Sequence, residues 1–170
     1  MSDADTVDDL VARVAAALTA RGATLATAES CTGGLVAAAC TSLAGSSEWF
    51  ERGVVTYSNA AKSELLGVDP ELITRFGAVS EEVARAMAAG LLARAPARFA
   101  VAVTGIAGPG GGSADKPVGT VWIATAARGG DGDAALLRAS GDRAAIRHQS
   151  LVRALEQVLA CVEATPLAPR

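Results

Sequence analysis

The chain has 170 residues, 51% hydrophobic and 19% charged, with a formal net charge of -3. That length suits one domain with a self-sufficient core, and no apolar run reaches the roughly 18 to 20 residues that span a bilayer. The absence of a Lys/Arg cluster argues against nucleic acid as a partner, and the acidic opening MSDADTVDDL has no apolar signal core, so a cytoplasmic location is expected.

In chain order, "VDDLVARVAAALTARG" spaces Val7, Leu10, Val11, Val14 and Leu18 as one helical face and stops at Gly22. "ATLATAES" is a short extended segment, and "CTGGLVAAACTSLAG" predicts a helix beginning near Ser30 or Thr32 and ending by Gly45. "RGVVTYS" reads as a strand ended by Tyr57, "NAAKSELLG" as a short helix opened by Ser58 or Asn59, and "SEEVARAMAAGLLAR" as a longer helix capped by Ser80. Two strands, 98 to 104 and 119 to 127, flank a glycine-rich loop, and "DAALLRAS" supplies another strand. A closing amphipathic helix runs from Asp142 to about Glu163. Strands and helices mix without strict alternation, and the last strands follow one another directly. That pattern predicts a three-layer α/β/α sandwich with a mixed sheet, in a single domain over 1 to 170.

Two nucleophiles, Ser30 and Cys31, adjoin at a strand-to-helix junction in "ESCTGG". A serine in that position commonly serves only as a helix N-cap. Yet Thr32, Gly33 and Gly34 would leave backbone N–H groups accessible to an oxyanion or phosphate, so nucleophile and oxyanion donors could share the turn. Cys31 is the rival, since a thiol at a helix N-terminus gains acidity, although free cysteines are often plain buried apolar residues. His148 is the only histidine. A base for the serine must then be His148 or something else, and Lys62, five residues beyond the sole tyrosine, Tyr57, can serve if burial keeps it neutral. Tyr57 could relay a proton or orient the hydroxyl.

The loop in "TGIAGPGGGSADKPVGT" spans 14 residues, 105 to 118, between strands. That exceeds the usual connection of about 4 to 6, a length often associated with function. It is not a Walker A motif, because Pro117 follows Lys116, and G-x-G-x-x-G fails at Ser113. Its backbone can still approach a ligand. Arg143, behind Asp142 in "SGDRAAIRHQS", stands at a helix start, where a guanidinium can grip a phosphate; Arg147 lies one turn on. Three cysteines without CxxC spacing indicate neither a disulfide framework nor a zinc site.

Taken together, "ATAESCTGGLVAA", "GSSEWFERGVVTYSNAAKSELLGV", "GAVSEEVA", "VTGIAGPGGG", "KPVGTVW" and "SGDRAAIRHQ" closely resemble the CinA C-terminal domain family, over about residues 7 to 163. The resemblance implies a mixed five-stranded sheet between helices, no metal or organic cofactor, and deamidation of nicotinamide mononucleotide to nicotinate mononucleotide and ammonia. The family's motif serine falls on Ser30, its lysine on Lys62 and its tyrosine on Tyr57. Its TGIAGP loop falls on Thr104, Gly105, Ile106, Ala107, Gly108 and Pro109, and its GDR arginine on Arg143. Where family members often carry an acidic residue after GIAGP, this chain has Gly110. The other class of function compatible with the resemblance is a catalytically silent nucleotide-binding or competence- and damage-related interaction module. A homodimer is the default assembly, closed two-fold dimers being the commonest oligomers.

Overall fold

A computed structural model describes residues 6–167. Its order is α1 (Val7–Thr19), β1 (Leu25–Glu29), α2 (Leu35–Ser42), a 3-10 turn (Ser46–Glu48), β2 (Phe50–Val55), α3 (Asn59–Leu66), α4 (Pro70–Phe76), α5 (Glu81–Arg94), β3 (Phe99–Gly105), β4 (Thr120–Ala127), β5 (Ala134–Arg138) and α6 (Arg143–Ala164). The sheet runs β2-β1-β3-β4-β5. β1 is parallel to both neighbours, while β3, β4 and β5 are successively antiparallel. The three-layer α/β/α sandwich with a mixed five-stranded sheet is therefore the fold.

Residue alternation along the strands assigns the two layers. Leu25, Phe99, Val101, Val103, Val121 and Ile123 face a core completed by α1, α2 and α6. Ala26, Ala28, Ala100, Ala102 and Ala124 face α3, α4 and α5. Methyl-only side chains on that second face let α5 lie close to the sheet, and Gly90 carries the close approach onward: a Cβ there would stand 1.9 Å from the Leu66 carbonyl oxygen of α3. Among the described residues no helix is long and apolar enough to cross a membrane.

Several elements differ from the reading of the sequence. α2 starts at Leu35 rather than near Ser30 or Thr32, because Gly33 and Gly34 adopt φ +59° and +105°, left-handed values that no helix accommodates. β2 begins at Phe50 and ends at Val55, leaving Tyr57 beyond the strand. α4 was not anticipated, although Asp69 caps it by accepting from the Glu71 N–H and Pro70 opens its first turn. Ser58 and Ser80 cap α3 and α5 as the sequence suggests, each side chain accepting a backbone N–H three residues on.

Candidate active site

β1 lies between its two parallel neighbours, and the chain leaves it first toward β2 and later returns to β3 on its other side. Such a reversal opens a crevice beyond the carboxyl ends of the strands. Ser30 stands there, one residue past β1, its N–H donating to the Val103 carbonyl at 2.9 Å. Thr56, just past β2, is held level with it by donating to the Glu29 carbonyl at 2.9 Å. Alternation sends the side chains of Glu29 and Ser30 to opposite faces of the sheet.

On the α3 side, Lys62 is only 1% exposed. Its Nζ lies 3.1 Å from Ser30 Oγ, 2.9 Å from the Thr56 carbonyl oxygen and 3.3 Å from that of Tyr57. Burial pulls the Lys62 pKa down, opposed only by the neighbouring Cys31. A neutral amine has two N–H donors and one lone pair. In that state the two carbonyls would take the hydrogens and the lone pair would face the Ser30 hydroxyl. The same Nζ, once protonated, would donate to all three oxygens, so the site accommodates both states of a base.

On the opposite face, Glu29 is 1% exposed and its carboxylate accepts from the Val36 N–H at 2.8 Å and the Ala37 N–H at 3.0 Å. These are orphan donors of the first turn of α2. The Val36 and Ala37 donors of the α2 N-terminus are therefore already filled by a side chain of the protein. Reading the sequence missed Glu29; its only signal is a carboxylate ending an otherwise apolar strand.

A cleft of about 200 Å³ opens over Ser30, Cys31 and Lys62. Of the candidate binding residues, Thr104, Gly105, Ala107 and Arg143 line it. Ile106 and Gly108 do not, and their backbone roles differ: the Ile106 N–H donates to the Thr120 carbonyl, and the Gly108 carbonyl accepts from Arg143. Thr32, Gly33 and Gly34 are not among its lining residues, and the Gly33 N–H is spent on the Ser30 carbonyl at 3.0 Å. Thr104 Oγ1 donates to the Ala78 carbonyl at 2.8 Å, tying β3 to the loop before α5. Asn59, Ala78 and Val79 complete the wall and were not among the expected residues.

Tyr57 is 61% exposed, and its hydroxyl accepts from Arg143 Nη2 at 3.1 Å. The phenol expected to relay a proton thus turns toward Arg143, while the Tyr57 backbone carbonyl is what meets Lys62. Arg143 also donates to the Gly108 carbonyl at 2.6 Å. These two bonds leave three of the guanidinium's five N–H donors for a ligand. The rival thiol, Cys31, is 6% exposed, and burial pushes it up to about 11. It is a protonated, weakly nucleophilic group at neutral pH. A Cβ added at Gly110 would have no heavy atom within 4 Å, so a side chain there starts out in open space. Among the described residues no group of three or more His, Cys, Asp or Glu side chains is placed to hold a metal ion.

A buried lysine stands against a serine at the strand ends of an open α/β sheet, the place where such folds bind ligands, and the sequence carrying this pair matches the CinA C-terminal domain model over residues 7–162. The chain belongs to the CinA C-terminal domain family. It is 54% identical over 151 residues to the nicotinamide-nucleotide amidohydrolase PncC of Enterobacter agglomerans, covering 89% of this chain and 92% of that protein. The PncC of Escherichia coli K12 is 53% identical over 156 residues, covering 92% and 94%. The crystal structure of the competence/damage inducible protein CihA from Agrobacterium tumefaciens superposes with a TM-score of 0.90 at 49% identity, covering 95% of this chain and 98% of that one.

Proposed function

We propose that this protein is a nicotinamide-nucleotide amidohydrolase, converting nicotinamide mononucleotide to nicotinate mononucleotide and ammonia with Ser30 as nucleophile and Lys62 as general base. Its PncC relatives carry the activity in their names. The observation that carries the mechanism is the buried Lys62 Nζ at 3.1 Å from Ser30 Oγ.

Neutral Lys62 takes the Ser30 proton as Oγ attacks the carboxamide carbon, and the carbonyl oxygen becomes an oxyanion. The Cys31 and Ala107 N–H groups, which border the cleft and have no backbone acceptor among the described residues, are the donors best placed to meet it. Lys62 returns the proton to the departing nitrogen, the C–N bond breaks, and ammonia leaves an ester on Ser30. Water then loses a proton to Lys62 and attacks the ester carbon; the proton passes back to Ser30 Oγ as nicotinate mononucleotide is released. Arg143 receives the 5'-phosphate on its remaining donors, with Tyr57 and the Gly108 carbonyl fixing its plane. Thr104 holds the wall opposite the nucleophile through Ala78.

Ammonia release from nicotinamide mononucleotide by Ser30→Ala, Lys62→Ala and Arg143→Ala tests the assignment. Ser30→Ala and Lys62→Ala should be inactive. Arg143→Ala should mainly raise KM for the mononucleotide and leave turnover of nicotinamide riboside near its starting value. Wild-type turnover in Ser30→Ala refutes the serine mechanism. A folded wild-type protein that binds the mononucleotide without releasing ammonia would instead identify a silent binding module.

A further inference from the structure

Two arginines one helical turn apart on α6 reach different parts of the site. Arg143 goes to the cleft, whereas Arg147 goes behind the nucleophile. Its Nε donates to the Cys31 carbonyl and its Nη2 to the Thr32 carbonyl, each at 3.1 Å. Gly33 at φ +59° turns the chain beneath this guanidinium, and a Cβ there would lie 3.6 Å from Nη2.

The first three carbonyls of the turn are thereby committed. The Ser30 carbonyl accepts from Gly33 at 3.0 Å, the Cys31 carbonyl from Arg147, and the Thr32 carbonyl from both Leu35, at 3.1 Å, and Arg147. Peptide groups are planar, so fixing a carbonyl fixes the N–H on the far side of the same peptide. The Thr32 carbonyl, held by Arg147, sets the Gly33 N–H; the Gly33 N–H holds the Ser30 carbonyl, and the Ser30 carbonyl sets the Cys31 N–H. Left-handed Gly33 and Gly34 give this turn little stiffness of its own. A planar fork donating to two successive carbonyls supplies it, and lysine, a point donor, could satisfy only part of that geometry.

We propose that Arg147 is a positioning residue for the reaction: without touching substrate, it holds the turn after Ser30 so that Oγ stays aimed at Lys62 and the Cys31 N–H stays aimed at the forming oxyanion. This role rests on the serine-lysine reading above. It predicts a defect centred on the chemical step, because of the residues lining the cleft only Ser30 and Cys31 belong to the turn that Arg147 holds, while Tyr57, Asn59, Ala78, Val79, Thr104 and Arg143 stand on other segments. A mere structural rivet between α6 and the turn would change stability and leave kcat of the folded enzyme alone.

The experiment compares Arg147→Ala and Arg147→Lys with wild type, Ser30→Ala and Arg143→Ala, measuring kcat and KM for ammonia release, thermal unfolding, and the response to added guanidinium at low millimolar concentration. Loss or misplacement of one oxyanion donor lowers turnover by about 10² to 10³. Arg147→Ala should lose about 10²-fold in kcat with KM within about twofold, and Arg147→Lys about tenfold. Guanidinium should restore part of the Arg147→Ala turnover and none in Ser30→Ala. If Arg147→Ala does not fold, Arg147→Lys decides: folded with wild-type kcat, it overturns the proposal. Wild-type kcat in folded Arg147→Ala, or a rise in KM matching Arg143→Ala with kcat unchanged, overturns it too. Inactive Ser30→Ala beside undiminished Arg147→Ala defeats this role alone; active Ser30→Ala defeats the serine mechanism and this role together.

Discussion

Replacing Glu29 by glutamine changes one oxygen to an NH2 group where two backbone N–H donors converge. In the native protein Oε1 accepts from Val36 and Oε2 from Ala37. Glutamine keeps one acceptor, and its NH2 faces the other N–H with nothing to give it. Losing a buried hydrogen bond to a charged group costs about 1.5 to 3 kcal/mol, and losing the carboxylate at the N-terminus of α2 removes up to about 2 kcal/mol of charge-dipole attraction. Relief from burying a full charge offsets part of this. We expect a net loss of about 2 kcal/mol at pH 7, which for a chain of this length lowers Tm by about 4 to 8 °C. Urea unfolding read by linear extrapolation should show the midpoint fall with the slope unchanged. A loss below about 0.5 kcal/mol would mean that the carboxylate is not what satisfies the first turn of α2, and the account of Glu29 would be wrong.

Further consequences are accessible to simple assays. The proposed mechanism requires a neutral Lys62, and burial lowers its pKa, so kcat/KM should climb with pH along a limb centred below lysine's ordinary 10.5, and Lys62→Arg, which cannot lose its proton, should be inactive at every pH. Between the folded pKa and 10.5 the unfolded chain holds the extra proton, so this group's contribution to stability rises with pH there; a titration of wild type against Lys62→Met showing the opposite slope would refute the assignment. With its thiol held up at about 11, Cys31 should resist iodoacetamide at pH 7.5 in the folded protein, and Cys31→Ala should keep most of its kcat, because the proposed mechanism uses only the backbone N–H. Gly110→Asp places its side chain in open space, so Tm should move by no more than about 1 to 2 °C, a surface-substitution effect; a larger drop would show that the loop is packed differently.

Much of this protein is legible in its sequence because the relevant signals are local. Ser58 and Ser80 cap helices through N–H groups three residues away, and apolar periodicity marks α1 and α6. The same local rules could have located α4 from Asp69, Pro70 and Gly77. The start of α2 was misplaced because glycine permits either helical or left-handed backbone, and the two conformations compete within "CTGG" with no local signal to choose between them.

The residue types able to perform the chemistry, a serine in a motif and a lysine on the next short helix, were also present in the order of the chain. What the chain alone left open was which groups would meet. Ser30 and Lys62 are 32 positions apart, and Arg147 is 116 from Cys31. Whether the lysine is solvated or buried against Ser30, whether Glu29 or another group meets the first turn of α2, and whether the Tyr57 phenol faces Lys62 or Arg143 were decided by the packing of α2, α3 and α6 around the end of β1. Charge state and hydrogen-bond partnership depend on the water excluded and the groups brought near, and those are set only when distant segments close on one another.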